Sequence, residues 1–404
     1  MNNKILFDAL LHNTFARSGN ILFSHRKKQL LMGQSGLKWR MMRRVKVSLR
    51  RLISRVYRLL GIHFTTQPAI MAYRAYGRPD RVFLNGRVLQ TRSIFRSNDK
   101  DTAWQNFVKT LRRFNSHEVN DAALEVRIGN NVFEVTSDLE GYFHLEADLP
   151  KKLRGLKTSW TEAQVTLKSP SYSSGELICP VDLLLPRNAG FGVISDIDDT
   201  ILKTDVTSLL KLKMLYLTFM KNANSRKAFS EVSAFFQALG LGPKEKSSNP
   251  FFYVSNSPWN LYDLLEDFLI INDLPKGPIL LRDFGIPYQA SPVGYKGHKY
   301  EHAARILRTY PHLPFVFIGD SGENDADIYL ELSRAFPGQV RAIYIRDVRH
   351  IKRSQRVAYL IREVADVDIR LIRNYREAAL HAADIGLISK SCFDRLRISV
   401  FIVR

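Results

Sequence analysis

Cysteine is nearly absent from this 404-residue chain: Cys179 and Cys392 are the only two, far apart and in no CxxC or Cys/His cluster. A disulfide framework is therefore excluded, and a reducing cytoplasm is the expected compartment. Long uncharged apolar runs are also missing. The apolar residues near the N-terminus, Ile5 to Phe7, are cut by Asp8, so neither a membrane span nor a signal peptide is expected, and a soluble or peripheral protein is. Acid is scarce only locally. Residues 1–79 hold sixteen Lys and Arg against the single acid Asp8, whereas the remainder holds 44 against 38, so the net charge of +21 belongs mainly to an N-terminal extension.

Length and a hydrophobic content of 45% favour two domains behind that extension. The extension, residues 1–72, contains LKWRMMRRVKVSLRRLISRVYRLLG, which predicts a basic amphipathic helix over about 38–60. Met41, Val45, Leu49, Leu52, Ile53, Val56, Leu59 and Leu60 recur at steps of three and four, with Arg43, Arg50, Arg51, Arg55 and Arg58 on the other faces. Such a helix can lie on an anionic membrane surface with its arginines toward headgroup phosphates. Packing on its own domain, or contact with nucleic acid, stays open beside that reading. Residues 1–40 show no pattern and are expected to be disordered or to precede the true start of translation.

Residues 73–188 predict a small β-sandwich. RVFLNGRVLQ alternates before Asn85-Gly86, ALEVRIGNN alternates through Leu124, Val126 and Ile128, NVFEVTSDLEGYFHLEA holds two strands about a turn at Asp138 to Gly141, and AQVTLKSP adds another. These read as hairpin signals. DTAWQNFVKTLRRF predicts a short helix, and Pro186 to Gly190 a linker. Trp104, Tyr142 and Trp160 are expected in the core. A protein partner for this module stays open, and nucleic acid is not expected as one.

Over residues 189–404 the pattern changes to apolar strands (FGVIS, FFYVS, PILL, FVFIG, VRAIYI) separated by helical periods such as PWNLYDLLEDFLIIN and KYEHAARILRTY. That alternation predicts an α/β domain with a doubly wound parallel sheet. Its strands end on Asp196, Ser255, Asp283, Asp320 and Asp347, which such a sheet gathers at one edge. In FGVISDIDDTILKTDV, Asp196, Asp198 and Asp199 crowd directly after a strand; like charges so close resist joint ionisation unless a cation or reacting group lies between them. Asp199 and Asp325 also fit simple capping roles, as Ser257 does. Residues 203–250 show no extended strand pattern, and VTSLLKLKMLYLTFMKN within them is too apolar for a solvated helix and fits either packing on the sheet or a cover that accepts acyl chains.

DIDDT after a strand, the serine in FFYVSNSPW, the lysine in GHKYEHAARIL and the acids of FVFIGDSGEND resemble the four motifs of the haloacid dehalogenase (HAD) superfamily of phosphohydrolases. More narrowly, AYGRPDRVFLNGRVL, GFGVISDIDDTILKT, NPFFYVSNSPWNLYDLLEDFL and FIGDSGENDADIYLEL resemble the actin patch protein phosphatidate phosphatase family, over roughly residues 73–350. The resemblance implies Mg²⁺ and a lipid phosphate monoester such as phosphatidate. On it, Asp196 attacks phosphorus and Asp198 serves as acid and then base. Mg²⁺ is held by Asp196, Asp198 and Asp320 with Asp325 nearby, Thr200 orients the loop, and Ser255 and Lys299 bind phosphate. Lys296 is the rival lysine; a histidine before the family's lysine matches His298-Lys299. The resulting expectation is a Mg²⁺-dependent phosphatidate phosphatase working as a peripheral membrane protein. A HAD-type phosphatase for a soluble or nucleic-acid monoester, or a non-catalytic scaffold, are the alternatives.

Overall fold

The computed structural model describes residues 66–92, 117–156, 158–170, 176–197, 223–282, 297–348, 351–364 and 367–392. The helices expected over 38–60 and 101–114, and the apolar stretch 206–222, lie outside them. Thr66–Arg404 form one compact unit, distinct from Met1–Thr65.

The N-terminal part of that unit is β-rich. Its strands are β1 (Thr66–Ala72), β2 (Ala75–Arg78), β3 (Arg81–Arg92), β4 (His117–Glu118), β5 (Ala123–Ile128), β6 (Asn131–Thr136), β7 (Tyr142–Asp148), β8 (Trp160–Ser169) and β9 (Leu177–Leu184). They run in the order β1-β3-β2-β9-β8-β5-β6, with β4 and β7 also paired to β3. All pairs are antiparallel except β2 with β9. The alternation read from ALEVRI holds: Leu124, Val126 and Ile128 are buried against Val82, Leu84, Val88 and Val165, while Arg127 faces water.

Two turn expectations differ from the structure. Asn85-Gly86 is not a turn, because β3 passes straight through it. Gly86 pairs with Phe143 and Ala72, and a Cβ there would lie 2.2 Å from the Phe143 ring and 2.7 Å from the Met71 carbonyl. The glycine makes room for an aromatic ring crossing the strand, which is the other use of a strand glycine. Likewise the turn at Asp138 is real, its carboxylate accepting from the backbone N–H of Glu140 and Tyr142 at 2.8 and 2.9 Å. It does not close a hairpin, since β6 pairs with β5 and β7 with β3. The hairpin lies one strand earlier, at Gly129-Asn130, where Gly129 takes φ +55.

The remainder is a six-stranded parallel sheet covered by helices. β10 (Gly192–Asp196), β11 (Phe251–Pro258), β12 (Ile279–Arg282), β13 (Phe315–Asp320), β14 (Val340–Arg346) and β15 (Ile369–Ile372) lie in the order β12-β11-β10-β13-β14-β15. The helices are α1 (Ala223–Leu241), α2 (Tyr262–Ile271), α3 (His298–Thr309), α4 (Asp325–Ala335), α5 (Ile351–Glu363) and α6 (Tyr375–Asp384). Successive strand residues serve two cores. Val193, Phe251 and Tyr253 pack with α1, α2 and α6 through Phe235, Leu265 and Ala379. Ile194, Phe252 and Phe317 pack with α3 and α4 through Ile306 and Leu332. Burial on both faces is why these strands read as unbroken apolar runs rather than alternating ones.

The β-rich part is welded to the parallel sheet through residues 73–77. Tyr73 stacks on Trp259 with ring centroids 4.4 Å apart. The Arg74 backbone N–H donates to the Tyr262 hydroxyl at 2.9 Å, and its guanidinium pairs with Glu266 at 3.0 Å. The Tyr310 hydroxyl donates to the Gly77 carbonyl at 3.0 Å.

Candidate active site

Strand order reverses at β10. Its chain neighbour β11 lies on one side and the later β13 on the other, and a sheet of this kind takes its ligands in the crevice outside the carboxyl ends of the strands at such a reversal, here β10 and β13. Asp196 is the last residue of β10 and Asp320 the last of β13, and both are fully buried. The register pairs Ser195 with Ile318, which sets these two acids at neighbouring strand ends.

Into that crevice α3 sends Lys299 from its first turn. Its ammonium lies 2.6 Å from Asp196 Oδ1, 2.7 Å from Glu323 Oε2 and 2.9 Å from Asp325 Oδ1. Burial opposes the lysine's charge, but Asp196, Asp325 and Glu323 outweigh it and hold Lys299 well above the ordinary lysine range. For Asp325 burial dominates and pushes the carboxyl up, against the pull of Lys299.

The loop after β13 is folded by its own first residue. Asp320 Oδ1 accepts from the backbone N–H of Gly322 and Glu323, the second at 3.1 Å, which turns Glu323 back toward Lys299. Asn256, just past Ser255 on β11, donates through its side-chain amide to the same Glu323 carboxylate. Asp325 Oδ2 accepts from the Asp320 backbone N–H at 3.2 Å while its other oxygen takes Lys299. The α4 cap position is Asn324, so Asp325 is spent on the site rather than on capping. Its fit depends on Gly319, where a Cβ would stand 2.6 Å from Asp325 Oδ2.

Ser255, fully buried at the end of β11, accepts from the Ser257 backbone N–H at 2.9 Å through its hydroxyl. Its carbonyl accepts from His298 Nε2 at 2.7 Å. Burial first, against that hydrogen bond, brings His298 down to about 4, so the ring is neutral at pH 7. Burial likewise brings His302, one turn on, to about 3. Ser257 does not open a helix as expected: β11 continues to Pro258, the cap of a 3-10 turn (Trp259–Leu261) that precedes α2.

Of the residues singled out in the sequence, Asp196, Asp325 and Lys299 are thus in direct contact, with Asp320 and Ser255 at the adjoining strand ends. Asp198, Asp199, Thr200, Asp283 and Lys296 lie outside the described residues. Asp347 is drawn off to α5, accepting from the Ser354 hydroxyl. Glu323 was not singled out: it belonged to an acidic loop whose letters do not say which acid turns inward.

Asp196, Glu323 and Asp325 offer carboxylate oxygens all within 4.8 Å of one another, a group able to bind a metal ion. The donors are hard oxygens, two of the three residues are fully buried, and Lys299 neutralises at most one of the three acids it touches, so a further cation fits the donor set.

The family model of the phosphatidate phosphatase APP1 catalytic domain matches residues 191–347, which span β10 to the end of β14. Phosphatidate phosphatase APP1 of Saccharomyces cerevisiae is 32% identical over 219 residues, 52% of this chain and 34% of the yeast protein. An uncharacterized protein of Schizosaccharomyces pombe is 30% identical over 218 residues, 54% of this chain and 34% of its own length. The chain therefore spans about a third of the length of these curated relatives. A carbohydrate acetylesterase from Xanthomonas citri superposes over 80% of this chain and 75% of its own at 12% identity, but its TM-score of 0.27 is too low to bear on the fold. Over residues 191–347 the chain is similar to the phosphatidate phosphatase APP1 catalytic domain.

Proposed function

We propose that the chain is a Mg²⁺-dependent phosphatidate phosphatase with a HAD-like catalytic domain over residues 189–404, a β-sandwich over 73–188 and a basic extension over 1–72. It would act on phosphatidate at the cytoplasmic face of a membrane and release diacylglycerol and phosphate. The observation that carries this reading is the buried Lys299 ammonium held among Asp196, Glu323 and Asp325 at the strand-order reversal of the family-matched segment. A fixed cation beside a strand-end carboxylate is what a phosphoryl group needs when a carboxylate attacks it.

In the first step an Asp196 carboxylate oxygen bonds to phosphorus as the ester P–O bond breaks, and the departing diacylglycerol oxygen takes its proton from Asp198. In the second, Asp198 takes a proton from water, the resulting hydroxide oxygen bonds to phosphorus, and the aspartyl P–O bond breaks to return Asp196. Ser255 and Lys299 bind the phosphate oxygens throughout, and Thr200 orients the loop of Asp196 and Asp198. Asp196, Asp198, Asp320 and Asp325 would hold Mg²⁺, which would supply charge neutralisation at the phosphoryl oxygens.

The test is release of phosphate from phosphatidate vesicles with Mg²⁺, beside a panel of soluble monoesters. Asp196→Asn or Asp198→Asn should abolish release, and activity surviving either substitution contradicts the assigned roles. Turnover of soluble monoesters but not phosphatidate would favour the soluble-substrate alternative.

A further inference from the structure

Helix α5 follows β14 at the catalytic edge of the sheet, and it is fastened to the loop that carries Glu323. Arg353 donates to the Gly322 carbonyl, and Val348, just before the helix, donates its N–H to the Ser321 hydroxyl at 3.1 Å. Arg356 pairs with Asp327 of α4 at 2.6 Å. The inner side of α5 buries Val357, with Leu360 and Ile361 packed on the core.

The outer side is composed differently. Ile351, Gln355 and Tyr359 fall at i, i+4 and i+8 and so form one stripe. Ile351 is 74% exposed and Tyr359 62%. Lys352 and Arg362 border the stripe, both exposed; Glu363 at the last position is the one acid on α5. A single exposed isoleucine needs no explanation. An exposed isoleucine and tyrosine aligned on a cationic helix, beside a loop that forms the candidate active site, is the composition of an interfacial helix.

We propose that the outer face of α5 docks on an anionic lipid bilayer, Ile351 and Tyr359 entering the headgroup region while Lys352 and Arg362 meet lipid phosphates. The docking element is then the same helix that grips the Ser321–Gly322 turn, so contact with the surface seats the candidate site beside a lipid substrate. The inference rests on the membrane-surface reading above and adds the surface that makes the contact.

The experiment is hydrogen–deuterium exchange on the full chain with vesicles of phosphatidylcholine alone or with phosphatidylglycerol, which offers negative charge without the monoester substrate. Amides of residues 351–363 should gain protection with the anionic vesicles only. Lys352→Glu with Arg362→Glu should abolish that protection and weaken vesicle binding at least about tenfold, while cleavage of p-nitrophenyl phosphate stays at the parent rate. Vesicle binding without protection at 351–363, or protection indifferent to the charge reversal, overturns the proposal. Protection by an acidic polypeptide with none from vesicles does so too, in favour of a protein partner. Exchange is read without turnover, so an inactive chain that still protects α5 counts against the phosphatase reading and leaves the docking surface standing.

Discussion

Gly319 leaves no room for a side chain beside Asp325. Gly319→Ala would place a methyl group 2.7 Å from Asp325 Cβ and 2.8 Å from the Tyr329 ring. The expected result is a loss of about 1–3 kcal/mol of stability in denaturant melts, and at least about a tenfold fall in turnover as Asp325 is driven off Lys299. A second residue-scale outcome concerns pH. The buried His302 has a folded value near 3, below the ordinary histidine value, so the unfolded chain binds the proton more tightly. Its contribution to stability is present above pH of about 6.5 and is lost as pH falls toward its folded value, by up to about 1.4 kcal/mol per pH unit. Melting temperatures followed from pH 7 to about 4 should therefore fall more steeply for the parent than for His302→Phe, which cannot titrate. Asp196, Asp320 and Lys299 were legible in the sequence because their residue types sit at strand ends and a helix start, where the fold itself fixes direction. Glu323 was not, because its inward turn is made by two backbone N–H groups bonding to Asp320, and nothing in a string of letters records that.

Among the elements, the two residues between β1 and β2, Tyr73 and Arg74, carry the join between the β-rich part and α2. Arg74 is nearly buried and its partner Glu266 is pushed up by burial and held back by Arg74. Arg74→Ala leaves that carboxylate without its cation and should lower stability by about 1–3 kcal/mol, while the more conservative Arg74→Lys should recover part of it; chemical denaturation of the three proteins makes the comparison. Strands β10 to β14 were readable as unbroken apolar runs because both faces of a parallel sheet are covered. β15 escaped notice because IRLI is four residues long with an exposed arginine inside it, and α5 because Val357 is the residue it fully buries. Asn85-Gly86 misled for a physical reason as well: the same pair that makes a tight turn also lets a phenylalanine ring lie flat across a strand, and only the partner Phe143 decides between them.

At the scale of the molecule, the crevice is a place where folding gathers more acid than Lys299 can offset. Divalent cation should therefore stabilise the folded chain by mass action, raising the melting temperature with Mg²⁺ concentration. Asp320→Asn keeps an oxygen for the Gly322 and Glu323 N–H groups but removes a charge, so it should melt no earlier than the parent without Mg²⁺ and lose most of the Mg²⁺-dependent rise. Calorimetry with and without a chelator reads both halves. The pairing of β2 with β9 has a further consequence, this one in time. Ala75 and Tyr76 sit beside Leu183 and Leu184, so the first-made half of this parallel contact must wait through roughly a hundred residues of synthesis before its mate exists. Until then the nascent chain carries an open edge ready to pair with a stranger, and the ribosome delivers β9 last of the strands described in that region.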